Sequence, residues 1–562
     1  MAQKIEASLP WVWDRTVGSV LEHTAKHHPD RDALIFPELN LRWSWCELNR
    51  RVDQLAASLI DLGVQRGEHV GIWSMNVAEW IVTQFAVGRI GAVLVNACPD
   101  YRLQDLEDGL TWSDVATLIV GCPPKDSNLV AMVESLCPEV ATANSPDWSS
   151  ERLPRLKRLI ALGDRPGPGW WTWSELEVGA EASRTELASR TRSTRPTDVN
   201  NIQFTSGTTG LPKGAMLTHR NVLMNAFYTG ERLRYSVDDR VCVPVPFYHC
   251  FGCVLGTLVC AVYGSAIVMP ALSFDAGATL AAIAAERCTS VYGVPTHYVR
   301  LLEHPEFSRF DLKSLRTGIV AGAPCPLPLM EKVVSLMGIR EICIGYGQTE
   351  ASPIITFTSA DDPIDVRVGT VGHPIPGLEV KVVDLATGRE VATGEVGELH
   401  ARGHCVMAGY YNNPDATAEA IDAEGWLHTG DLACRREDGN YRIVGRIREL
   451  IIRGGQNIYP AEVEAFLLGH SAVAEVAVAG LPDSKYGEVV AAWVIPKSGA
   501  TVTPDELKHY CQGKIARFKI PQYIWIEESF PQNVNGKTLK RVLREQKIAE
   551  LGLVEVARIE TA

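Results

Sequence analysis

The sequence predicts an α/β fold, with a large N-terminal domain of parallel-rich sheets and helices and a small C-terminal α+β domain. The first observation is length, because 562 residues exceed the ~250–300 that one hydrophobic core usually serves. The second is composition: 46% hydrophobic and 22% charged residues are typical of an ordinary globular protein. The third is the alternation of strand-like and helical segments along the first half, which is the pattern of an α/β fold.

The N-terminal elements follow this alternation. Residues 67–73 and 91–96 are apolar runs that predict buried strands, and 77–87 between them has helical spacing. Further short strands are predicted at 289–295, 317–322 and 341–346, each ending in a turn rich in Gly or Pro. Ligands of open α/β sheets gather at such carboxyl-end turns, so a binding site is expected there.

The pattern changes near residue 447, where we expect the domain boundary. Residues 1–447 are predicted to form the large domain and 448–562 the small one. In the second segment, 470–479 and 488–495 resemble paired strands.

Several classes of protein are disfavoured by bulk properties. A net charge of -13 argues against a nucleic-acid partner, because phosphate binding normally shows as a basic surplus. Residues 241–274 carry no Asp, Glu, Lys or Arg, but prolines and glycines interrupt them. This predicts a buried strand, helix and strand rather than a stable membrane span. Fourteen scattered cysteines and an amino terminus without a secretory pattern favour the cytoplasm.

The strongest chemical signal is the run Thr205-Ser-Gly-Thr-Thr-Gly-Leu-Pro-Lys-Gly214, which follows a predicted strand and precedes a predicted helix. Glycines let the backbone approach a polyphosphate, hydroxyls donate hydrogen bonds and a lysine adds positive charge. It differs from a Walker A loop, in which Gly precedes the Lys and Ser or Thr follows it. The residues expected to bind phosphate are Thr205, Ser206, Gly207, Thr208, Thr209, Gly210 and Lys213.

This loop resembles the signature of the adenylate-forming superfamily, which includes acyl-CoA synthetases, luciferases and adenylation domains. Further motifs in the family's order extend the resemblance over about residues 15–545. Gly345-Tyr-Gly-Gln-Thr-Glu350 is similar to its second core motif, in which the aromatic lies against adenine, Thr349 meets the α-phosphate and Glu350 helps hold Mg²⁺. By residue type alone, Glu350 would instead be a helix-start residue. The nucleotide contacts implied here are Gly322, Ala323, Pro324, Tyr346, Gly347, Gln348 and Thr349.

Two later motifs resemble the family's ribose site. Trp426-Leu-His-Thr-Gly-Asp-Leu432 places Asp431 where the family's carboxylate accepts bonds from both ribose hydroxyls, although a turn residue is the plain alternative. Tyr441-Arg-Ile-Val-Gly-Arg446 resembles the supporting segment and adds Ile443 and Arg446.

The resemblance also implies a mobile C-terminal domain. The family's hinge falls on Arg448, where relatives commonly carry Asp or Lys. Gly454 and Gly455 match the loop that touches the pantetheine arm in the thioester step. Lys537, within Asn533-Val-Asn-Gly-Lys, matches the lysine that bridges the carboxylate and the α-phosphate. A mobile ammonium suits a group that stabilises developing charge and then leaves.

The expected activity is that of an AMP-forming acid–thiol ligase that uses ATP, Mg²⁺ and coenzyme A and forms an acyl-adenylate. His249 lies in a segment similar to the family's carboxylate and pantetheine channel, with a buried core histidine as the alternative. Residues 292–296 resemble the acyl tunnel, and their lack of Arg or Lys favours an apolar acid. The closest likeness is to medium- and long-chain fatty acyl-CoA synthetases.

Other functions stay open at this point. The acyl acceptor is a carrier protein in one alternative, and the acid is aromatic or short in another. A luciferase-like oxygenase, a lipid-binding module and an ADP-forming ATPase are more distant alternatives. The oligomeric state is open, with a homodimer as one possible assembly.

Overall fold

The computed structural model describes residues 9–123, 127–177, 183–205, 212–532 and 538–553. The chain divides into two compact units. Unit 1 comprises residues 1–379 and 401–427, and unit 2 comprises residues 380–400 and 428–562. The functional boundary expected at about residue 447 stays a prediction.

Unit 1 contains a nine-stranded sheet whose six central strands are parallel, while antiparallel strands close both edges. Parallel strands are buried on both faces, which explains their continuous apolar runs. In spatial order the strands are β16 (His373–Pro374), β15 (Ile354–Phe357), β14 (Glu341–Gly347), β13 (Thr317–Val320), β12 (Ser290–Gly293), β10 (Arg240–Cys242), β11 (Ala266–Val268), β1 (Asp32–Phe36) and β2 (Leu41–Ser44).

An eight-stranded sheet of unit 1 is parallel except for an antiparallel edge. One hydrophobic core draws side chains from both large sheets, including Val70 and Val241. The strands are, in spatial order, β19 (Gly409–Tyr410), β9 (Lys213–Thr218), β8 (Val199–Thr205), β4 (Val93–Ala97), β3 (His69–Trp73), β5 (Val115–Val120), β6 (Arg158–Ala161) and β7 (Trp171–Thr172).

Helices connect these strands, as parallel sheets require. Thr218 shows how one of them starts: its hydroxyl accepts the Asn221 N–H and caps the helix that follows. The helices of unit 1 are α1 (Val17–His27), α2 (Trp45–Asp61), α3 (Ala78–Arg89), α4 (Leu103–Trp112), α5 (Leu129–Leu136), α6 (Pro138–Thr142), α7 (Trp173–Glu177), α8 (Arg184–Ser193), α9 (His219–Arg232), α10 (Cys250–Gly252), α11 (Val259–Tyr263), α12 (Ala276–Glu286), α13 (Pro295–Leu302), α14 (Leu327–Leu336), α15 (Ile364–Gly369) and α16 (Pro414–Ala420).

Unit 2 has a four-stranded sheet and a mainly antiparallel five-stranded sheet, each in the spatial order given. The first consists of β17 (Leu378–Val383), β18 (Val396–Gly403), β20 (Leu427–Arg435) and β21 (Tyr441–Arg446). The second consists of β23 (Gln456–Ile458), β22 (Ile451–Arg453), β25 (Gly487–Pro496) and β24 (Val473–Asp483), with β26 (Tyr523–Ile526) paired to β25. Its helices are α17 (Pro460–Leu468), α18 (Pro504–Cys511) and α19 (Lys540–Glu550).

The predicted fold class is confirmed, and most predicted elements lie within a few residues of their positions. Strands β3, β4, β12, β13 and β14, helix α3 and the β24–β25 pair all correspond to predicted elements. The uncharged run 241–274 forms a strand, helical turns and a strand, and most of it is buried. Among the described residues, no helix has the length and apolar character needed to cross a membrane.

One strand was not predicted. The helix expected after the predicted phosphate loop is α9, but the unpredicted strand β9 comes between the loop and that helix. Strand β9 pairs antiparallel with β8, so that Thr205 faces Lys213 across the hairpin. The pairing is close at Gly214, where an added Cβ would lie 2.9 Å from a methyl group of Ile202.

Candidate active site

The predicted phosphate loop connects β8 and β9. Its first predicted residue, Thr205, ends β8, and its lysine, Lys213, begins β9. The Thr205 hydroxyl lies 3.5 Å from the Lys213 carbonyl oxygen. The predicted loop residues Ser206, Gly207, Thr208, Thr209 and Gly210 lie outside the described residues.

The predicted nucleotide residues after β13 and β14 lie at one edge of the nine-stranded sheet. The two strands are parallel neighbours, with Val320 paired to Ile344, so their carboxyl ends are adjacent. Gly322 adopts φ +84°, a left-handed conformation that favours glycine, and it opens the exposed turn with Ala323 and Pro324. Tyr346, Gly347, Gln348 and Thr349 follow at the end of β14.

Gly347 allows the chain to turn sharply at this edge. A Cβ added there would lie 1.8 Å from the Pro353 carbonyl oxygen, which no side chain could tolerate. Pro353 also accepts the Gln348 N–H at 2.9 Å. The turn thus delivers Thr349 and Glu350 in a short 3₁₀ helix rather than in a continuing strand.

Glu350 is held by two contacts from the segment around β19. The Tyr410 hydroxyl donates to Glu350 Oε1 at 2.7 Å, and the Met407 N–H donates to the Glu350 carbonyl oxygen at 2.9 Å. Lys213 Nζ lies 5.2 Å from the centre of the Tyr410 ring, a cation–π distance. Burial, and then the Glu350 charge, raise the pKa of Tyr410 well above its usual range. Tyr410 therefore stays a hydrogen-bond donor at neutral pH.

Tyr410 was missed by sequence reasoning. Its position follows from the pairing of Tyr410 with Ala215 across β19 and β9, and both of these strands are short. Nothing local to Gly409–Tyr410 predicts that pairing. The same pairing brings Lys213, Tyr410 and Glu350 together although they lie far apart along the chain.

His249 is the N-cap residue of α10. Its Nδ1 accepts the Phe251 N–H at 3.1 Å, which fixes the proton of the neutral ring on Nε2. Burial lowers the pKa of His249 to about 4, so the ring is neutral at physiological pH. Cys250 Sγ lies 3.9 Å from Thr349 Oγ1, which brings the two predicted segments together.

The segment predicted to contact the acyl group, residues 292–296, is neutral and partly buried. Tyr292 stacks on Phe251 with ring centres 5.7 Å apart, and a Cβ on Gly322 would lie 3.2 Å from Val294. His297 stacks on Phe274, with ring centres 3.8 Å apart. Burial, and then the charge of exposed Arg300, lower the pKa of His297 to about 4, so His297 is also neutral.

Unit 2 carries the remaining predicted residues. Asp431 and Arg446 face each other across β20 and β21, and Asp431 Oδ1 lies 3.1 Å from Arg446 Nε. The Asp431 side chain is 5% exposed and that of Arg446 36% exposed. Ile443 lies on the same strand as Arg446 and pairs with Ala433.

The two predicted glycines of unit 2 form the turn between β22 and β23. Gly454 and Gly455 have φ +56° and +80°, and Arg453 pairs with Gln456 on either side of them. Two consecutive positive φ values define the tight hairpin turn that Gly-Gly favours. The predicted catalytic lysine, Lys537, lies outside the described residues.

The comparisons with known proteins assign this two-unit α/β chain to a class of nucleotide-dependent enzymes. Residues 21–411 match the family model described as AMP-binding enzyme, and residues 462–537 match its C-terminal domain. The chain therefore belongs to the AMP-binding enzyme family.

Its relatives are similar along nearly their whole length. The chain is 46% identical to YngI of Bacillus subtilis (strain 168), covering 96% of this chain and 98% of that protein. It is 41% identical to the mitochondrial medium-chain acyl-CoA ligase ACSF2 of Danio rerio, covering 96% and 89%. The anthranilate CoA ligase AuaEII in complex with anthranoyl-AMP has a similar structure, with a TM-score of 0.83, 25% identity and coverage of 97% and 99%. The predicted family and the predicted class of activity, an AMP-forming acid–thiol ligase that uses ATP and coenzyme A, are confirmed.

Proposed function

We propose that the chain joins a medium- or long-chain monocarboxylic acid to coenzyme A through an acyl-adenylate. A carboxylate oxygen attacks the α-phosphorus of ATP, and the bond to pyrophosphate breaks. The thiolate of coenzyme A then attacks the acyl carbonyl carbon, and AMP leaves with the electron pair of the C–O bond. The observation that carries the proposed acid class is the segment from Tyr292 to His297, which carries no charged side chain and in which Tyr292, Gly293 and Pro295 are buried.

An apolar acid suits that segment better than a dicarboxylate. A second carboxylate buried there would need a cation or strong donors, because an unpaired buried charge is very unfavourable. Residues 292–296 contain no Arg or Lys, and both His249 and His297 are neutral at physiological pH. Tyr292 and Phe251 are buried and stack on each other instead. These features favour an alkyl chain.

In this proposal the nucleotide is bound by the residues that the motifs indicate. Thr205, Lys213 and the loop between them take the phosphates, and Asp431 accepts the ribose hydroxyls with Arg446 supporting it. Thr349 contacts the α-phosphate. Lys537 stabilises the charge that develops in the first step, and Gly454 and Gly455 admit the pantetheine arm in the second.

The residues around Glu350 fit a magnesium ion. Mg²⁺ in nucleotide sites is bound through one or two carboxylates together with phosphate oxygens. Glu350 Oε1 is occupied by the Tyr410 hydroxyl, and Oε2 accepts no hydrogen bond from any described residue. Glu350 would therefore offer one oriented carboxylate oxygen. The ion would neutralise charge on the departing pyrophosphate, while Tyr410 keeps the carboxylate oriented.

A panel of acids tests the proposed substrate class. Coenzyme A-dependent AMP formation is measured for straight-chain acids from acetate to stearate, with benzoate and malonate included. Medium and long alkyl acids are expected to give the highest kcat/KM. Preference for malonate or benzoate would contradict the proposed acid class. AMP release that does not depend on coenzyme A would contradict the proposed acceptor.

A pair of valine variants tests the acyl segment itself. Val294→Arg places a cation in the proposed acyl segment. Because removing one charge partly from water costs at least ~1.4 kcal/mol, kcat/KM for decanoate is expected to fall by at least about tenfold. Val299→Arg alters an exposed valine of α13 and is the matched control. Equal effects of both variants on decanoate would show that Val294 does not contact the acyl chain.

Two assays of one lysine variant distinguish the adenylation step from the thioester step. Lys537→Ala is expected to abolish acid-dependent ATP–pyrophosphate exchange while sparing thioester formation from supplied acyl-AMP. Equal loss of both reactions would remove the proposed role of Lys537.

A cytoplasmic location and a homodimer also stay part of the proposal. Size-exclusion chromatography with light scattering tests the homodimer.

A further inference from the structure

A group of three side chains in unit 2 includes none of the residues assigned to the proposed reaction. Glu398 and His400 come from β18, and His428 comes from the neighbouring strand β20. One ligand atom from each residue lies within 4.8 Å of the other two. Among the residues that the structure describes, this is the one group of three or more His, Cys, Asp or Glu side chains with such spacing.

The distances suit a shared metal ion. Zn²⁺ binds His nitrogen and carboxylate oxygen at about 2.0–2.2 Å, so two ligands of a tetrahedral site lie about 3.3 Å apart. His400 Nε2 lies 3.0 Å from Glu398 Oε2, and His428 Nδ1 lies 3.9 Å from the same oxygen. These two nitrogen–oxygen distances lie just below and just above the ligand–ligand distance of a tetrahedral zinc site.

The kinds of side chain in the group also suit a cation. The imidazole rings of His400 and His428 lie close together, with centres 4.0 Å apart and an angle of 26° between their planes. A carboxylate beside two imidazoles is a ligand set that nitrogen- and oxygen-binding metals prefer.

We propose that Glu398, His400 and His428 form a binding site for a divalent transition-metal ion, with Zn²⁺ as the best fit. The three side chains leave a fourth position for water. His428 is 35% exposed whereas His400 is 6% exposed, so the ion reaches the site from the His428 side.

The site is connected to the segment that carries Asp431. The second oxygen of Glu398, Oε1, accepts the Gly430 N–H at 2.9 Å, and the Thr429 hydroxyl donates to the Leu399 carbonyl oxygen at 2.6 Å. A bound ion would hold β18 and this part of β20 together. Metal binding is therefore expected to raise the melting temperature.

Metal binding by the whole chain, freed of metal with a chelator, is the direct test. Zn²⁺ is titrated in competition with a chromophoric chelator, and bound zinc is counted by mass spectrometry. One tight equivalent is expected. Glu398→Gln, which still accepts the Gly430 N–H, and His400→Gln should each weaken zinc binding. The loss of affinity should exceed the roughly 10- to 100-fold that follows when a residue hydrogen-bonded to a metal ligand is removed.

His27→Gln is the matched control, because His23 and His27 are a second histidine pair with ring centres 4.0 Å apart on α1. This variant should keep the tight equivalent. Loss of zinc in His27→Gln, or equal zinc affinity in wild type and His400→Gln, would overturn the assignment.

Cobalt spectroscopy on the wild-type chain keeps the test independent of variant folding. Co²⁺ in the site should give the intense visible bands of tetrahedral coordination without a thiolate charge-transfer band. Weak octahedral bands, or a charge-transfer band that shows ligation by one of the fourteen cysteines, would each overturn the proposal.

Discussion

Asp431→Asn separates a ribose ligand from a structural ion pair. The substitution keeps the shape of the side chain but removes one acceptor oxygen and the negative charge. Asp431 is almost completely buried, and its Oδ1 lies 3.1 Å from Arg446 Nε. If Asp431 binds both ribose hydroxyls, the variant loses a charge-assisted hydrogen bond to ATP as well as the ion pair.

The two losses have different sizes. A hydrogen bond to a charged group contributes about 1.5–3 kcal/mol, which corresponds to an increase of about 10- to 150-fold in KM for ATP. The ion pair contributes much less to folding, because the Arg446 side chain is 36% exposed and water stabilises it once Asp431 is neutral. We therefore expect the free energy of unfolding to fall by only about 1 kcal/mol.

Acid-dependent ATP–pyrophosphate exchange at varied ATP gives the KM, and urea unfolding gives the stability. Asp438→Asn is the matched control, because Asp438 forms an exposed ion pair with Arg436 at 3.0 Å in the turn after β20. The control should leave the KM for ATP within about twofold of wild type. A variant at Asp431 with an unchanged KM but a lower stability would refute the ribose role and leave only the ion pair.

Three further predictions follow from single contacts. Tyr410→Phe should raise the Mg²⁺ concentration needed for half-maximal exchange by up to about tenfold, because one charged hydrogen bond is lost, whereas Tyr411→Phe should not. Gly455→Ala should slow thioester formation from acyl-AMP more than exchange, whereas Gly499→Ala, with equal backbone strain at φ +75°, should affect neither. Burial lowers the pKa of His219 to about 4, so the unfolded chain binds the proton more tightly. The stability that neutral His219 contributes is complete above about pH 6.5. Through His219 the free energy of unfolding therefore falls by about 2 kcal/mol between pH 7 and 5. His219→Asn should reduce this pH dependence of the free energy of unfolding, measured by urea unfolding.

The sequence predicts those parts of the fold that local physics determines. Strands β3 and β4 are fully buried, and their continuous apolar runs are visible without a structure. The turn at Gly454 and Gly455 is equally local, because consecutive glycines favour positive φ at both positions. The fold class and these elements therefore needed no tertiary information.

Strand β9 shows where local reasoning fails. Its sequence Lys213-Gly-Ala-Met-Leu-Thr218 has a glycine and no clear alternation of polar and apolar residues. It is a strand because β8 and β19 hydrogen-bond to it on both sides. The Tyr410–Glu350 contact depends on the same pairing, so the omission of β9 and the omission of Tyr410 have one physical cause.

The proposed zinc ligands lie between these two cases. Glu398 and His400 are two residues apart, and successive side chains of a strand alternate between its faces, so a shared face is predictable once residues 396–403 are taken as a strand. His428 follows 28 positions after His400 and joins them only because β20 lies beside β18. Two ligands alone rarely hold zinc, so the sequence cannot distinguish a metal site from a hydrogen-bonded Glu–His pair. The third ligand, His428, makes the difference between these two cases. Its position depends on the order of strands in the sheet, which a single sequence does not encode locally.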